Sequence, residues 1–397
     1  MTTTIIIILC TLLLLAYVFD ISSPLTKIPS VILLLLLGWF FRSVLNFFDI
    51  IPPDLNVLLP ILGTIGLILI VLEGALEVEL NKSKISVIKK SSLMAVLTLV
   101  VLALMLGFII HNREEVPFRI ALLNAIPFCV ISSSIAIPSV RNLPQKDKEF
   151  VIYESSLSDI FGVLLFNFVA VNQFIHAKNI GLFFIQLILM LSISFVSVAG
   201  LSLLLSRNKH HITYSPIILM VILIYALSKI LHLPGLLFIL IFGLFLGNLD
   251  ELKRFQWISY FKPDRLETEV AKFKDITAEA TFLIRALFFM LFGFLLQTQE
   301  IINMETLPWA TGIAFGIIVT RWVALWLLKL PVLPLLFVAP RGLITILLFL
   351  AIIPIESIPL VNSSLVIQTI IISVLFMMIG LVIFKPEHPE REPGLMN

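Results

Sequence analysis

The chain has 397 residues, of which 59% are hydrophobic and 13% are charged. A soluble domain carries about 25% charged residues, and several apolar runs here exceed the ~18 residues that a bilayer-spanning helix needs. The composition therefore predicts a membrane protein lying in the lipid bilayer and excludes a soluble enzyme. The net charge of +2 is too small to indicate a nucleic-acid partner.

The N-terminal apolar run, 5–18, follows three threonines rather than the basic region of a signal peptide. It is therefore predicted to be the first membrane span and not a cleaved leader. The two cysteines, Cys10 and Cys129, both lie inside apolar runs. No disulfide, structural metal or cofactor is expected.

Apolar runs separated by charged residues, proline or glycine predict about thirteen transmembrane helices in an all-α fold. In chain order they cover residues 4–19, 28–48, 55–79, 91–111, 118–142, 149–173, 180–205, 212–230, 233–249, 276–298, 307–328, 334–354 and 361–384. The division between the eighth and ninth spans is the least marked, because only His232 and Pro234 interrupt the apolar sequence there.

The basic residues of the loops sort onto two sides of the predicted membrane. With thirteen spans, 19 loop lysines and arginines fall on one side and 5 on the other. Cytoplasmic loops carry the excess of positive charge in membrane proteins. The C-terminus is therefore predicted in the cytoplasm and the N-terminus outside, as in a multi-pass protein of the inner (plasma) membrane.

Two polar segments lie between or after the spans. Residues 250–275 interleave apolar side chains with six basic and six acidic residues, which is typical of an amphipathic stretch on the cytoplasmic surface. A connecting role for this segment is favoured over a regulatory one. Residues 386–397 are predicted to be a short cytoplasmic tail, so that residues 1–385 form one transmembrane domain.

Six charged residues fall inside predicted spans. An ionised group in hydrocarbon costs at least ~2.5–3.5 kcal/mol on insertion scales, so each should face protein or water. Ion pairs that only hold helices together are one interpretation, and a transport site is the other. The six residues are Glu73, Glu154, Asp159, Arg285, Arg321 and Arg341.

Two spans contain residues that suit an uninterrupted helix poorly. The fifth contains Pro138 after three consecutive serines, Ser132, Ser133 and Ser134, and the twelfth contains Pro340 and Gly342. Irregular backbone survives at membrane depth only where it is buried or lines a cavity. Broken spans in corresponding places of two inverted halves indicate the midplane site of a transporter, although each break alone also fits a packing kink.

The sixth span carries a carboxylate beside hydroxyl groups. Ser155 and Asp159 are four residues apart, as are Glu154 and Ser158, so each pair shares a helix face. Carboxylate and hydroxyl oxygens suit a small hard cation. Because one carboxylate can hold either a cation or a proton, this group predicts exchange of the two.

Several segments contain motifs that follow one another in order along the chain. They are Lys27–Leu33 with Gly38, Leu72–Glu77, Glu154–Asp159, Phe282–Gly293, and Arg321 with Pro340–Gly342. These segments resemble motifs of the monovalent cation:proton antiporter superfamily, on the side of its bacterial and archaeal sodium/proton antiporters. Among those motifs are F-E-G-G-L-E, at Leu72–Glu77, and E-S-L-L-N-D, at Glu154–Asp159.

The resemblance implies roles for particular residues. Asp159 matches the ion-binding aspartate, and Glu154 and Ser155 match residues that line or support its site. The serines at 132–134 stand where sodium/proton members usually have Thr-Asp-Pro, and Ser158 stands where Asn or Asp is common. A run of serines at 132–134 is more similar to the potassium-efflux branch of the superfamily.

The resemblance also implies an elevator mechanism. A six-helix core, at about 91–173 and 307–384, would carry the ion, and the other helices would form a homodimer. For the buried charges we expect Arg341 to pair with Glu73 and Arg321 with Glu154, so that Asp159 remains available to its ion.

The predicted function is therefore secondary antiport of a monovalent cation for H⁺, serving pH homeostasis, with Na⁺ the favoured cation. Exchange is predicted to be electroneutral, since Ser158 is uncharged beside Asp159. A potassium/proton or broad-range exchanger is the first alternative, and a non-transporting membrane sensor or scaffold is the second. An enzyme is not expected, because the six histidines lie in loops or at span ends.

Overall fold

A computed structural model of the chain describes residues 2–26, 28–48, 55, 57–78, 84–140, 143–172, 177–207, 214–230, 235–249 and 263–384. In these ranges every regular element is helical. The helices are α1 (Thr2–Thr26), α2 (Ser30–Phe47), α3 (Leu58–Glu77), α4 (Ile85–Glu114), α5 (Phe118–Ala125), α6 (Ser133–Ser139), α7 (Gln145–Val171), α8 (Ala177–Arg207), α9 (Tyr214–Ile230), α10 (Gly235–Gly247), α11 (Pro263–Leu295), α12 (Thr298–Ile301), α13 (Leu307–Leu327), α14 (Leu343–Ala351) and α15 (Ser363–Ile383).

The predicted spans are confirmed as apolar helices. Eight helices in the described part of the chain are long and apolar enough to cross a membrane, and four shorter apolar helices accompany them. With the broken segment 335–351, these helices of the described residues are consistent with the predicted number of about thirteen spans. Prolines mark several beginnings, since Pro29, Pro117 and Pro144 directly precede α2, α5 and α7. Proline is tolerated there because the first amides of a helix have no intrahelical acceptor.

The predicted surface segment 250–275 is described only in its second half. Residues 263–275 are the first part of α11 and continue directly into the membrane span. Val270 and Phe273 are buried, so these two apolar side chains face protein rather than the bilayer surface. Residues 250–262, the tail 386–397 and the basic loops at 79–83 and 208–213 lie outside the described residues.

The helices pack as two bundles. In the first bundle α4 packs against α5, α7 and α13, while α13 packs against α15 and α6 against α7. In the second bundle α11 packs along α2 and α3, and α10 packs against α3, α8 and α9. The two bundles meet mainly where α3 and α10 contact α7 and where α3 contacts α14.

Close approach of α2 and α11 builds much of the second bundle. A Cβ on Gly38 would lie 2.1 Å from the Met290 carbonyl oxygen, and one on Gly293 would lie 2.2 Å from the Leu35 carbonyl oxygen. Small residues let helix backbones touch in lipid, where packing rather than hydrophobicity drives association. Arg42 then donates to the Leu295 carbonyl oxygen over 2.7 Å, which satisfies an acceptor at the end of α11.

Candidate functional site

The first helix break lies earlier than its sequence suggested. After α5 the chain forms a 3₁₀ turn at Ile126–Cys129, runs without helix to Ser132, and enters α6 at Ser133. Pro138, predicted as the break, lies inside α6, and that prediction is wrong. The seven-residue helix ends directly after Pro138, so the missing proline amide costs it a single hydrogen bond, to the carbonyl of Ser134.

The second break agrees with the prediction. A 3₁₀ turn at Leu335–Phe337 is followed by non-helical backbone through Pro340 and Gly342, after which α14 begins. The two breaks touch, because the Ser132 amide donates to the Pro340 carbonyl oxygen over 2.9 Å. A Cβ on Gly342 would lie 2.7 Å from the Ser132 hydroxyl oxygen, so glycine permits this approach.

Arg341 donates hydrogen bonds to backbone carbonyls freed at the crossing rather than to a carboxylate. Its Nε donates to the Phe128 carbonyl oxygen over 2.5 Å and its guanidinium to the Ala339 carbonyl oxygen over 3.0 Å. The predicted pairing of Arg341 with Glu73 is therefore wrong. Carbonyls released by the breaks are buried acceptors, and leaving them unpaired in the protein interior is costly. Glu73 instead shares a cavity with Arg285.

The predicted pair of Glu154 and Arg321 is confirmed. The two guanidinium nitrogens of Arg321 lie 2.6 and 2.8 Å from the two carboxylate oxygens of Glu154. Each side chain is only 1% exposed. Arg321 also donates through Nε to the Leu335 carbonyl oxygen over 2.6 Å, so this bidentate pair joins α7 and α13 to the second break.

Asp159 is buried opposite the start of α6. Its Oδ2 accepts from the Ser133 hydroxyl at 2.5 Å and from the Ser133 amide at 3.4 Å. Its Oδ1 is buried and has no hydrogen-bond partner among the described residues. The carboxylate is thus oriented through one oxygen, and the other remains able to bind an ion or a proton.

The other serines predicted at the site make two kinds of contact: Ser132 and Ser134 contact each other, whereas Ser155 and Ser158 bond backbone groups. The Ser132 and Ser134 hydroxyls lie 2.9 Å apart beside Ser133. Ser155 donates to the Val151 carbonyl oxygen of its own helix over 2.8 Å. Ser158 accepts from the Ile131 amide at 3.0 Å, so its hydroxyl supports the first break rather than facing Asp159.

A cavity of about 160 Å³ lies next to this group. It separates α6 and α7 from α3 and α11, and Ser133 places Asp159 one hydrogen bond behind its wall. Sequence reasoning did not name two polar residues of the wall, Ser156 and Glu77, as site residues, although both stand in the motif segments Glu154–Asp159 and Leu72–Glu77. The polar lining residues are Glu73, Glu77, Ser133, Ser134, Ser156 and Arg285.

Two touching helix breaks among many membrane-spanning helices are typical of secondary transporters. A sequence model described as the transmembrane part of sodium/hydrogen exchangers matches residues 8–386. The chain therefore belongs to the sodium/hydrogen exchanger family, which is a family of transporters and not of enzymes.

Solved structures support the same fold. The chain is similar to the sodium proton antiporter MjNhaP1 from Methanocaldococcus jannaschii at pH 8, with a TM-score of 0.68, 20% identity, and coverage of 97% of this chain and 96% of that one. An electron-microscopy map of MjNhaP1 matches with a TM-score of 0.67, 20% identity, and coverage of 96% and 95%. At this identity the likeness shows the fold alone. No curated protein matches the chain by sequence.

Proposed function

We propose that this protein is a secondary active antiporter that exchanges a monovalent cation, Na⁺ first, for H⁺. The observation that carries the proposal is Asp159, a buried carboxylate held by Ser133 through one oxygen and unpaired at the other. A buried charge of this kind needs a counter-ion or a proton. Alternation between the two is the chemistry that exchange requires.

One carrier carboxylate leads to electroneutral exchange. Glu154 has both oxygens bound to Arg321, so it is not available as a second carrier. Ser158 has no ionisable group and is occupied by the Ile131 amide. Asp159 then crosses neutralised by one cation in one direction and by one proton in the other.

The packing of the helices into two bundles supports an elevator movement, in which one bundle slides along the other. Both breaks, Asp159 and the pair of Glu154 with Arg321 all lie in the first bundle, and we take this bundle as the ion-carrying core, at 91–173 and 307–384. Movement of this bundle along the second would carry the site across the membrane. The second bundle would then form the homodimer, in an inner membrane with the N-terminus outside.

Potassium/proton or broad-range exchange is the second candidate. The hydroxyls of Ser132, Ser133 and Ser134 are the side-chain groups at the first break, and no carboxylate accompanies them in that run. Neutral oxygens bind a cation more weakly than carboxylates do and discriminate less against a larger ion.

Flux measurements in proteoliposomes test the proposal. Purified protein is reconstituted with a pH-sensitive dye in the lumen, and Na⁺, K⁺ and Li⁺ are added outside in turn. We expect cation-dependent proton movement that the variant Asp159→Asn abolishes, since an amide cannot exchange a proton for a cation. Flux that persists in Asp159→Asn would contradict the site. A folded wild type without flux for any of the three ions would indicate a sensor or scaffold instead.

A further inference from the structure

One buried hydroxyl next to the site has no assigned role. Ser156 is 3% exposed, and its Oγ has no hydrogen-bond partner among the described residues. The residue lines the cavity together with Ser133 and Glu73. Ser156 thus places a buried hydroxyl without a partner beside this cavity, and Ser133 of the same wall bonds Asp159.

Several helical serines near Ser156 satisfy their hydroxyls on their own helix. Ser155 donates to the Val151 carbonyl oxygen at 2.8 Å, and Ser139 donates to that of Ile135 at 2.7 Å. The same bond is the ordinary choice for a serine in a helix. Ser156 does not make it, although an unpaired buried hydroxyl is unfavourable. Its hydroxyl is thus available to something that occupies the cavity.

Ser156 also lies close to Asp159, the proposed carrier, on the same helix. Ser156 precedes Asp159 by three residues on α7, and side chains at this spacing are neighbours on a helix surface. Asp159 Oδ1 is the second unpaired buried oxygen of this region.

We propose that Ser156 is a specificity-determining ligand whose hydroxyl oxygen coordinates a partly hydrated monovalent cation in this cavity and sets the preference between K⁺ and Na⁺. The inference rests on the proposed function. Selectivity among alkali cations depends on the number and field strength of the coordinating oxygens. A larger cation surrounds itself with more oxygens, so one added neutral hydroxyl raises the affinity for K⁺ more than the affinity for Na⁺ or Li⁺, whichever cation is bound best.

Three variants test the contribution of the Ser156 hydroxyl oxygen to cation binding. Ser156→Ala removes it, and Ser156→Thr keeps it in a side chain of different shape. Ser194→Ala is the matched control, because Ser194 Oγ is also buried and unpaired but lies on α8 away from the cavity. Thermal melting of each purified variant separates loss of the site from loss of the fold.

Half-saturating concentrations for K⁺ and Na⁺ are then compared in proteoliposomes. Loss of one ligand to a cation changes affinity by about tenfold, so we expect Ser156→Ala to raise the K⁺ value about tenfold and the Na⁺ value less. Ser156→Thr and Ser194→Ala should keep the wild-type ratio of the two values. An unchanged ratio in Ser156→Ala, or the same change in Ser194→Ala, overturns the inference.

A binding measurement keeps this test apart from that of the proposed function. Stabilisation of the detergent-solubilised protein by added K⁺ or Na⁺ reports binding without transport. If wild type shows no flux, the proposed function fails, and the thermal shifts still decide about Ser156. Equal K⁺-induced shifts in wild type and Ser156→Ala would refute Ser156 as a ligand.

Discussion

Glu154 and Asp159 lie five residues apart on α7, and the structure gives them opposite environments. Both oxygens of Glu154 bind Arg321, whereas Asp159 keeps one buried oxygen unpaired. A paired buried charge is compensated by its partner, and an unpaired one needs a ligand or a proton. At the scale of single residues, the pairing of each carboxylate separates the structural acid from the proposed carrier.

The buried ion pair is open to a double-mutant test. Glu154→Gln or Arg321→Gln alone leaves an uncompensated buried charge, so each is expected to lower the free energy of unfolding by ~3–5 kcal/mol. The double variant is expected to lose less than the sum of the two, because no charge is then left alone. Chemical denaturation in detergent, followed by tryptophan fluorescence, measures all three.

The control for that cycle is a pair nearer the solvent. Glu269 lies 3.6 Å from Lys272 Nζ, and the lysine side chain is 57% exposed. The Glu269 side chain is 12% exposed, but the lysine that Glu269→Gln leaves without a partner is solvated, so the change should cost only ~0–1 kcal/mol. If Glu154→Gln proves as mild as Glu269→Gln, the Glu154–Arg321 contact does not carry the stability assigned to it.

At the scale of elements, the two broken helices depend on each other. The Ser132 amide donates a hydrogen bond to the Pro340 carbonyl oxygen, and Arg341 Nε donates one to the Phe128 carbonyl oxygen. Each break therefore provides a hydrogen-bond partner for backbone groups of the other. Such irregular backbone is stable at membrane depth because its polar groups are paired within the protein. The position of Ser133, and through it of Asp159, follows from this crossing.

Gly342→Ala tests the contact between the breaks. The new Cβ would lie 2.6 Å from Ile135 Cδ1 and 2.7 Å from Ser132 Oγ, so these two side chains must move and the Ser132–Ser134 hydroxyl contact beside Asp159 is disturbed. Because displacement of a functional group by about 1 Å can cost ~10²-fold in rate, we expect exchange to fall at least about tenfold. Initial proton flux in proteoliposomes is the measurement.

Gly312→Ala is the control for that variant. An added Cβ at Gly312 on α13 meets no atom within 4 Å, so its flux should equal that of wild type. Comparable flux in the two variants would mean that the breaks tolerate separation, and that the crossing does not position the site.

At the scale of the whole molecule, the first bundle contains the charges that the proposed mechanism uses. A single carrier predicts exchange that ignores the membrane potential, although that potential is worth ~2.3 kcal/mol per charge per 100 mV. Exchange rates in proteoliposomes clamped by valinomycin at zero and at negative potential should therefore agree. A rate that follows the imposed potential would contradict one-for-one exchange and assign Glu154 as a second proton carrier.

The hydrophobic pattern alone determined the thirteen spans and the class of protein. Span length follows from bilayer thickness and span boundaries from local polarity, so both can be read from neighbouring residues. The motif order along the chain likewise indicated the family, which the match over residues 8–386 confirmed. Helix spacing correctly placed Ser155 and Asp159 on one face of α7. It could not show that the Ser155 hydroxyl donates to the Val151 carbonyl oxygen of the same helix instead of facing the site.

Only the tertiary structure decided which buried groups meet. Arg341 and Arg321 are both buried arginines of the second half, but one binds freed carbonyls and the other binds Glu154. The partner of each arginine depends on where the backbone breaks and on which helices cross there. A local sequence pattern contains no information about distances between residues far apart in the chain. For the same reason Ser156, which follows the predicted Ser155 directly, is recognised only through the cavity that α3, α6, α7 and α11 enclose.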